Sequence, residues 1–73
     1  MITNELKKIR MQQYMMNKKE FSKFLNIAEQ QYCRYENMTS QPSLEVALRI
    51  SNALKITVNE IWVLKVNELN NII

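Results

Sequence analysis

Residues 18–35, KKEFSKFLNIAEQQYCRY, decide the reading of this chain. Phe21, Phe24 and Leu25 stand at helical spacing before Asn26, and Tyr32 and Tyr35 do so after it. Two helices that cross steeply need a small residue where they touch, a residue that tolerates the left-handed conformation in the turn, and apolar positions on both sides. Ser22 meets the first need, Asn26 the second, and Phe21, Leu25, Ile27, Tyr32 and Tyr35 the third. Just upstream, Asn17 and Glu20 have the spacing of a capping box, and Met16 and Phe21 flank that cap as a hydrophobic staple.

Working outward, helical signals continue in both directions. Asn4 caps a first helix with Leu6, Ile9 and Gln13 on one stripe, and Met11, Tyr14, Met15 and Met16 leave its end unmarked. The helix after the turn spans 29–37 and turns Tyr32 and Tyr35 inward. Residues 38–42, MTSQP, are a loop, and Ser43 caps a fourth helix with Leu44, Ala47, Leu48 and the Ala53–Leu54 pair inward. Lys55 and Ile56 interrupt it. Thr57 and Glu60 form a second capping box that opens a fifth helix through Val58, Ile61 and Trp62. No strand is read, although residues 61–66, IWVLKV, suit either a helix or a late strand. The expectation is an all-α bundle of five short helices.

Composition narrows the function. The chain has 73 residues, enough for one small domain. It has no His, no Gly and one Cys, Cys33. His-dependent triads, Cys–His nucleophile pairs and most zinc sites are thereby excluded, as are Gly-rich phosphate loops. No residue set calls for a cofactor, a metal or an enzymatic reaction. A lone thiol and the lack of an apolar leader suit the cytoplasm, and no apolar run approaches the ~20 residues that cross a bilayer. The net charge of +3 is unevenly spread. Residues 1–34 hold seven cations against three carboxylates, whereas residues 35–73 hold three against four. The front half suits an anionic partner and the back half a different one, although every soluble domain carries charges somewhere.

The chain resembles the Cro and phage-repressor type of helix-turn-helix DNA-binding domains. The resemblance rests on residues 16–28 (MNKKEFSKFLNIA), 34–37 (RYEN), 41–45 (QPSLE), 47–50 (ALRI) and 54–62 (LKITVNEIW), and covers roughly residues 4–64. It implies a five-helix domain over residues 1–64, a tail over 65–73, and a homodimer that binds operator DNA and regulates transcription. Family members usually carry Gly in three turns where this chain has Asn26, Met38 and Lys55, and a left-handed Met costs on the order of 1 kcal/mol. Lys18 stands where a Gln usually opens the second helix. The stretch from Arg10 to Asn17 is one residue longer than usual, and this bears on the buried pairing of a first-helix Arg with the Glu that corresponds to Glu36.

The third helix is then the recognition helix. With Tyr32 set inward and ~100° per residue, Gln30, Arg34 and Asn37 fall on the opposite face, with Glu29 and Cys33 on one flank and Gln31 on the other. Gln pairs with adenine and Arg with guanine edges, so Glu29, Gln30, Gln31, Cys33 and Arg34 are the candidate base contacts. Long polar side chains also cover any exposed helix face, and Cys33 suits a passive small residue better than a redox switch. Asn17 and Lys18 at the start of the second helix, with Asn37, Thr39 and Ser40 after the third, are the candidate phosphate contacts. Trp62, Val63, Leu64 and Val66 offer more apolar surface than so small a core needs, with Ile72 and Ile73 beyond them, and are assigned to dimerisation. The function expected is a repressor that occludes its operator on double-stranded DNA. The alternatives are an antitoxin that also binds a toxin, and a protein-interaction module on the same fold.

Overall fold

The computed structural model describes residues 1–65. Strand β1, Ile2–Asn4, is followed by helix α1, Leu6–Lys8, which runs on as a π-helix over Ile9–Tyr14. Then come α2, Lys18–Phe24, α3, Glu29–Glu36, α4, Leu44–Leu54, and the short α5, Val58–Ile61, and the described chain ends in β2, Trp62–Leu64. The five helices expected are present, and the ambiguous stretch resolves to a strand from Trp62 to Leu64. Val66, Ile72 and Ile73, assigned to dimerisation or to the apolar tail, lie outside the described residues.

The caps follow the sequence. Asn17 Oδ1 accepts from Glu20 N–H at 2.8 Å while Glu20 Oε1 accepts from Asn17 N–H at 3.0 Å. Ser43 Oγ accepts from Val46 N–H, and Thr57 and Glu60 complete the second box. Asn4 acts one residue earlier than a cap position, since Glu5 occupies that place; its Oδ1 still accepts from Leu6 N–H at 3.1 Å.

Helices α2, α3 and α4 each stop at a left-handed residue, none of them Gly, whereas α5 runs straight into the extended Trp62. Asn26 has φ 59°, Met38 64° and Lys55 58°, in the three turns where the family usually carries Gly. Behind each, a backbone bond closes over the helix end: Ile27 N–H to Ser22 O, Thr39 N–H to Arg34 O, and Ile56 N–H to Ser51 O. These six-residue closures satisfy carbonyls that the helix itself leaves open. A fourth left-handed residue, Met15 at φ 51°, ends the π-helix and has no signal in the sequence.

The π-helix absorbs the extra residue before Asn17. Its wider turn takes one more residue per hydrogen-bonded loop than an α-turn. Leu6, Ile9 and Arg10 therefore stay inward, and Tyr14 still comes round to lie against Phe21 and Phe24, with its hydroxyl donating to Leu54 O at 3.2 Å. Gln13, expected on the inner stripe, is exposed.

Leu6, Ile9, Phe21, Leu25, Tyr32, Tyr35, Ile50, Leu54 and Ile61 form the core. The inward face of α4 differs from expectation. Ala47, Ile50 and Leu54 are buried, whereas Leu44 is 72% and Leu48 47% exposed. At ~100° per residue the stripe centred on Ala47, Ile50 and Leu54 leaves Leu44 about 87° and Leu48 about 127° away. Ala53 lies outside it as well and is exposed. Phe24, also placed on the inner face by its spacing, is 44% exposed.

The two strands join the ends of the described chain. They pair antiparallel with Ile2 opposite Leu64, Thr3 opposite Val63 and Asn4 opposite Trp62. Met15 is 83% exposed, so its replacement by Gly loses little packing and removes the left-handed cost, offset in part by the added entropy of the unfolded chain. Met15→Gly is expected to raise the urea-unfolding stability by about 0.5–1 kcal/mol; an unchanged or lower midpoint would contradict the strain at this position.

Candidate nucleic-acid interface

The α2–α3 pair is set by small and aromatic contacts at its crossing. Ser22 is 2% exposed and donates to Lys19 O at 2.9 Å, so its hydroxyl is satisfied inside the contact. Phe21 meets Tyr32 edge-on, with ring centroids 5.5 Å apart at 78°. Tyr32 and Tyr35 hold the inner side of α3, as the sequence indicates. Glu29, Gln30 and Arg34 are exposed on the outer side, and Gln31 and Cys33 are half-buried on its flanks.

A buried ion pair fixes α3 from below. Arg10 Nε donates to Glu36 Oε2 at 3.0 Å and Nη2 to Oε1 at 3.2 Å, a two-pronged contact between side chains that are 9% and 4% exposed. The Tyr32 hydroxyl donates to the same carboxylate. Burial alone would push the Glu36 carboxyl up, but the hydrogen bonds from Arg10 and Tyr32 and the charges of Arg10 and Lys18 more than offset it and hold it below its ordinary value. The Tyr32 hydroxyl is pushed up, first by burial and then by its bond to Glu36. Arg10 is held still more firmly protonated by its hydrogen bond to Glu36. The longer stretch before Asn17 thus leaves the Arg10–Glu36 pairing intact.

The same carboxylate draws in one candidate phosphate contact, Lys18. Lys18 Nζ lies 4.0 Å from Glu36 Oε1, with the Lys18 side chain 41% exposed, so the first residue of α2 stands beside the end of α3. Asn37, Thr39 and Ser40 follow that end directly. The Arg34 carbonyl accepts from Thr39 N–H at 3.0 Å, Ser40 N–H at 3.3 Å and Thr39 Oγ1 at 3.3 Å, which folds the loop back on the helix. Asn37 and Thr39 are exposed, and Ser40 is half-buried where Gln31 Nε2 donates to its Oγ at 3.5 Å. Asn17 uses its Oδ1 as a cap, while its amide NH2 has no protein acceptor among the described hydrogen bonds.

Asn4, read from the sequence only as a cap, and Gln41, given no role of its own there, hold the last turn of α3 and this loop from the other side. Asn4 Nδ2 donates to Tyr35 O at 2.7 Å, and Gln41 Nε2 donates to Ile2 O at 3.3 Å. Both bonds span more than thirty residues of chain, and no local pattern announces them. The residues assigned to dimerisation lie apart in sequence from this face: Trp62 and Val63 are half-buried and Leu64 is exposed.

The helix-turn-helix family model matches residues 6–61, which spans every element from α1 to α5. No curated protein matches the chain. No helix among the described residues is long and apolar enough to cross a membrane.

The buried network fixes the response to acid. A carboxyl whose folded value is depressed contributes stability that is complete above its unfolded value and is lost as pH falls through the folded one. The urea midpoint is therefore expected to hold near neutral pH and to fall once the pH drops below the ordinary carboxyl value of 4.5. The direct check is an NMR titration of the Glu36 carboxyl, and a midpoint at or above 4.5 would contradict the pairing.

Proposed function

The chain belongs to the helix-turn-helix family of the Cro/C1 type, a family of DNA-binding regulators, and on that premise we propose that it is a sequence-specific transcriptional repressor. It acts in the cytoplasm as a homodimer that occupies its operator and occludes polymerase. The observation that carries this reading is the outer face of α3, where Glu29, Gln30 and Arg34 stand exposed on a helix anchored beneath by Glu36. A helix of this kind enters the major groove, and two copies read half-sites about one helical turn apart.

Roles follow from chemistry. Arg34 offers a fork that matches guanine O6 and N7, and Gln30 pairs its amide with adenine. Glu29 accepts from cytosine N4, and Gln31 and Cys33 meet the groove from the flanks. Asn17, Lys18, Asn37, Thr39 and Ser40 hold phosphates on either side, which sets register without reading sequence. The test of the class is a gel shift of labelled duplex across a salt series. No shift even at low salt would favour the protein-interaction module over a DNA-binding regulator, and co-purification with a toxin would favour the antitoxin.

Two substitutions separate base reading from backbone holding. Arg34→Ala is expected to cost about 1–3 kcal/mol on the preferred site and to relax preference at one base position. Selection from random duplexes checks it: equal weakening on all DNA with the same preferred sequence would make Arg34 a phosphate contact. Lys18→Ala is expected to weaken specific and non-specific binding alike and to reduce the slope of log affinity against log salt by ~1. An unchanged slope would remove Lys18 from the interface.

A further inference from the structure

Strand β2 carries an open edge whose polarity the ladder itself defines. Lys65 N–H donates to Met1 O at 2.7 Å, the Met1 ammonium donates to Lys65 O at 3.2 Å, and Glu5 N–H donates to Ile61 O at 2.8 Å. Thr3 opposite Val63 falls midway between these pairs, at the period of an antiparallel ladder. The main-chain groups of Ile2, Asn4, Trp62 and Leu64 consequently point away from the partner strand. On the β1 side, Gln41 covers Ile2 O. On the β2 side, Trp62 N–H is taken by Val58 O, whereas the N–H and C=O of Leu64 have no backbone partner among the described residues.

The side chains make the same edge apolar. Ile2 and Leu64 are directly opposite and share a face with Asn4 and Trp62. Trp62 packs on the core, so this face belongs to the core side, yet it overhangs at Ile2, 42% exposed, and Leu64, 64% exposed. A strand edge with an apolar overhang is a template for another strand.

We infer that β2 pairs edge to edge with β2 of a second copy of this chain, joining two terminal sheets into one four-stranded sheet across the dimer. An edge strand laid antiparallel against its own copy brings matching donor and acceptor rows together, as a two-fold interface requires. Residues 35–73 hold three cations against four carboxylates, so the two back halves meet without strong repulsion. The pairing also sets Leu64 beside its own copy, continuing a face already in use on the core. This rests on the homodimer proposed above and names its contact.

Amide hydrogen exchange on the full chain, at a dilute and a concentrated condition calibrated by sedimentation, tests it. The Leu64 amide is expected to exchange at least tenfold more slowly in the concentrated sample, while the Val63 amide, bonded to β1, exchanges alike in both. Leu64→Pro removes the outward donor and leaves the β1–β2 ladder intact, and is expected to weaken self-association at least tenfold. A dimer whose Leu64 exchange does not depend on concentration would overturn the inference and leave the dimer standing on another surface. Slow exchange that is equal at both concentrations would mean that the chain's own residues 66–73 cover the edge, and would overturn it too. A chain that stays monomeric at all concentrations and binds DNA as one copy would defeat the homodimer itself. If Leu64→Pro fails to fold, the exchange measurement on the native chain still decides.

Discussion

The Glu36 carboxylate lies in the interior because several donors converge on it. Arg10 approaches with two nitrogens, Tyr32 with its hydroxyl, and Lys18 from the solvent side. A buried charge without such partners is costly, and removing one partner of a buried pair commonly destabilises by about 3–5 kcal/mol. Arg10 also donates from Nη1 to Met16 O at 3.0 Å, at the end of the π-helix. One guanidinium therefore closes the first helix and anchors α3, the proposed recognition helix. In a chain of 73 residues with a small core, that double role links the first helix to the candidate interface.

The irregular first helix follows from the same constraint. An additional residue between Arg10 and Asn17 could have rotated Arg10 out of the interior or displaced the cap of α2. The π-turn over Ile9–Tyr14 and the left-handed Met15 absorb it instead, and leave both the ion pair and the capping box in place. The strain is confined to an exposed residue, where it disturbs no packing.

Legibility in the sequence tracks the range of the interactions. Caps and boxes are local, and Asn17, Glu20, Ser43, Thr57 and Glu60 act as read. Asn26 announces its left-handed turn by its own side-chain chemistry, whereas Met38 and Lys55 are legible only through the resemblance, and Met15 through nothing. On α4 the spacing marks a helix but not its phase: several rotations of an apolar-rich helix satisfy a spacing rule, and only the packing of Ile50 selects one. The strands are three residues each, too short for alternation to show, and their pairing spans nearly the whole described chain. The outward set of α3 could be stepped off from Tyr32 alone. The bonds of Asn4 and Gln41 that hold its last turn and loop could not, since they depend on where β1 meets β2.

That meeting of the strands carries a dynamic consequence. Closing a loop of some sixty residues costs entropy that grows as about (3/2)RT ln n, so the β1–β2 pairing is a contact of high sequence separation. Segments with few residues and exposed edges open at lower free energy than a core. Opening of the terminal sheet would release Asn4 from the Tyr35 carbonyl and Gln41 from Ile2 while Leu6, Ile9 and Tyr32 stay packed. The end of α3 and its following loop would then loosen before the domain unfolds, so the rigidity of the surface proposed to meet phosphates is set where the first and last described residues pair.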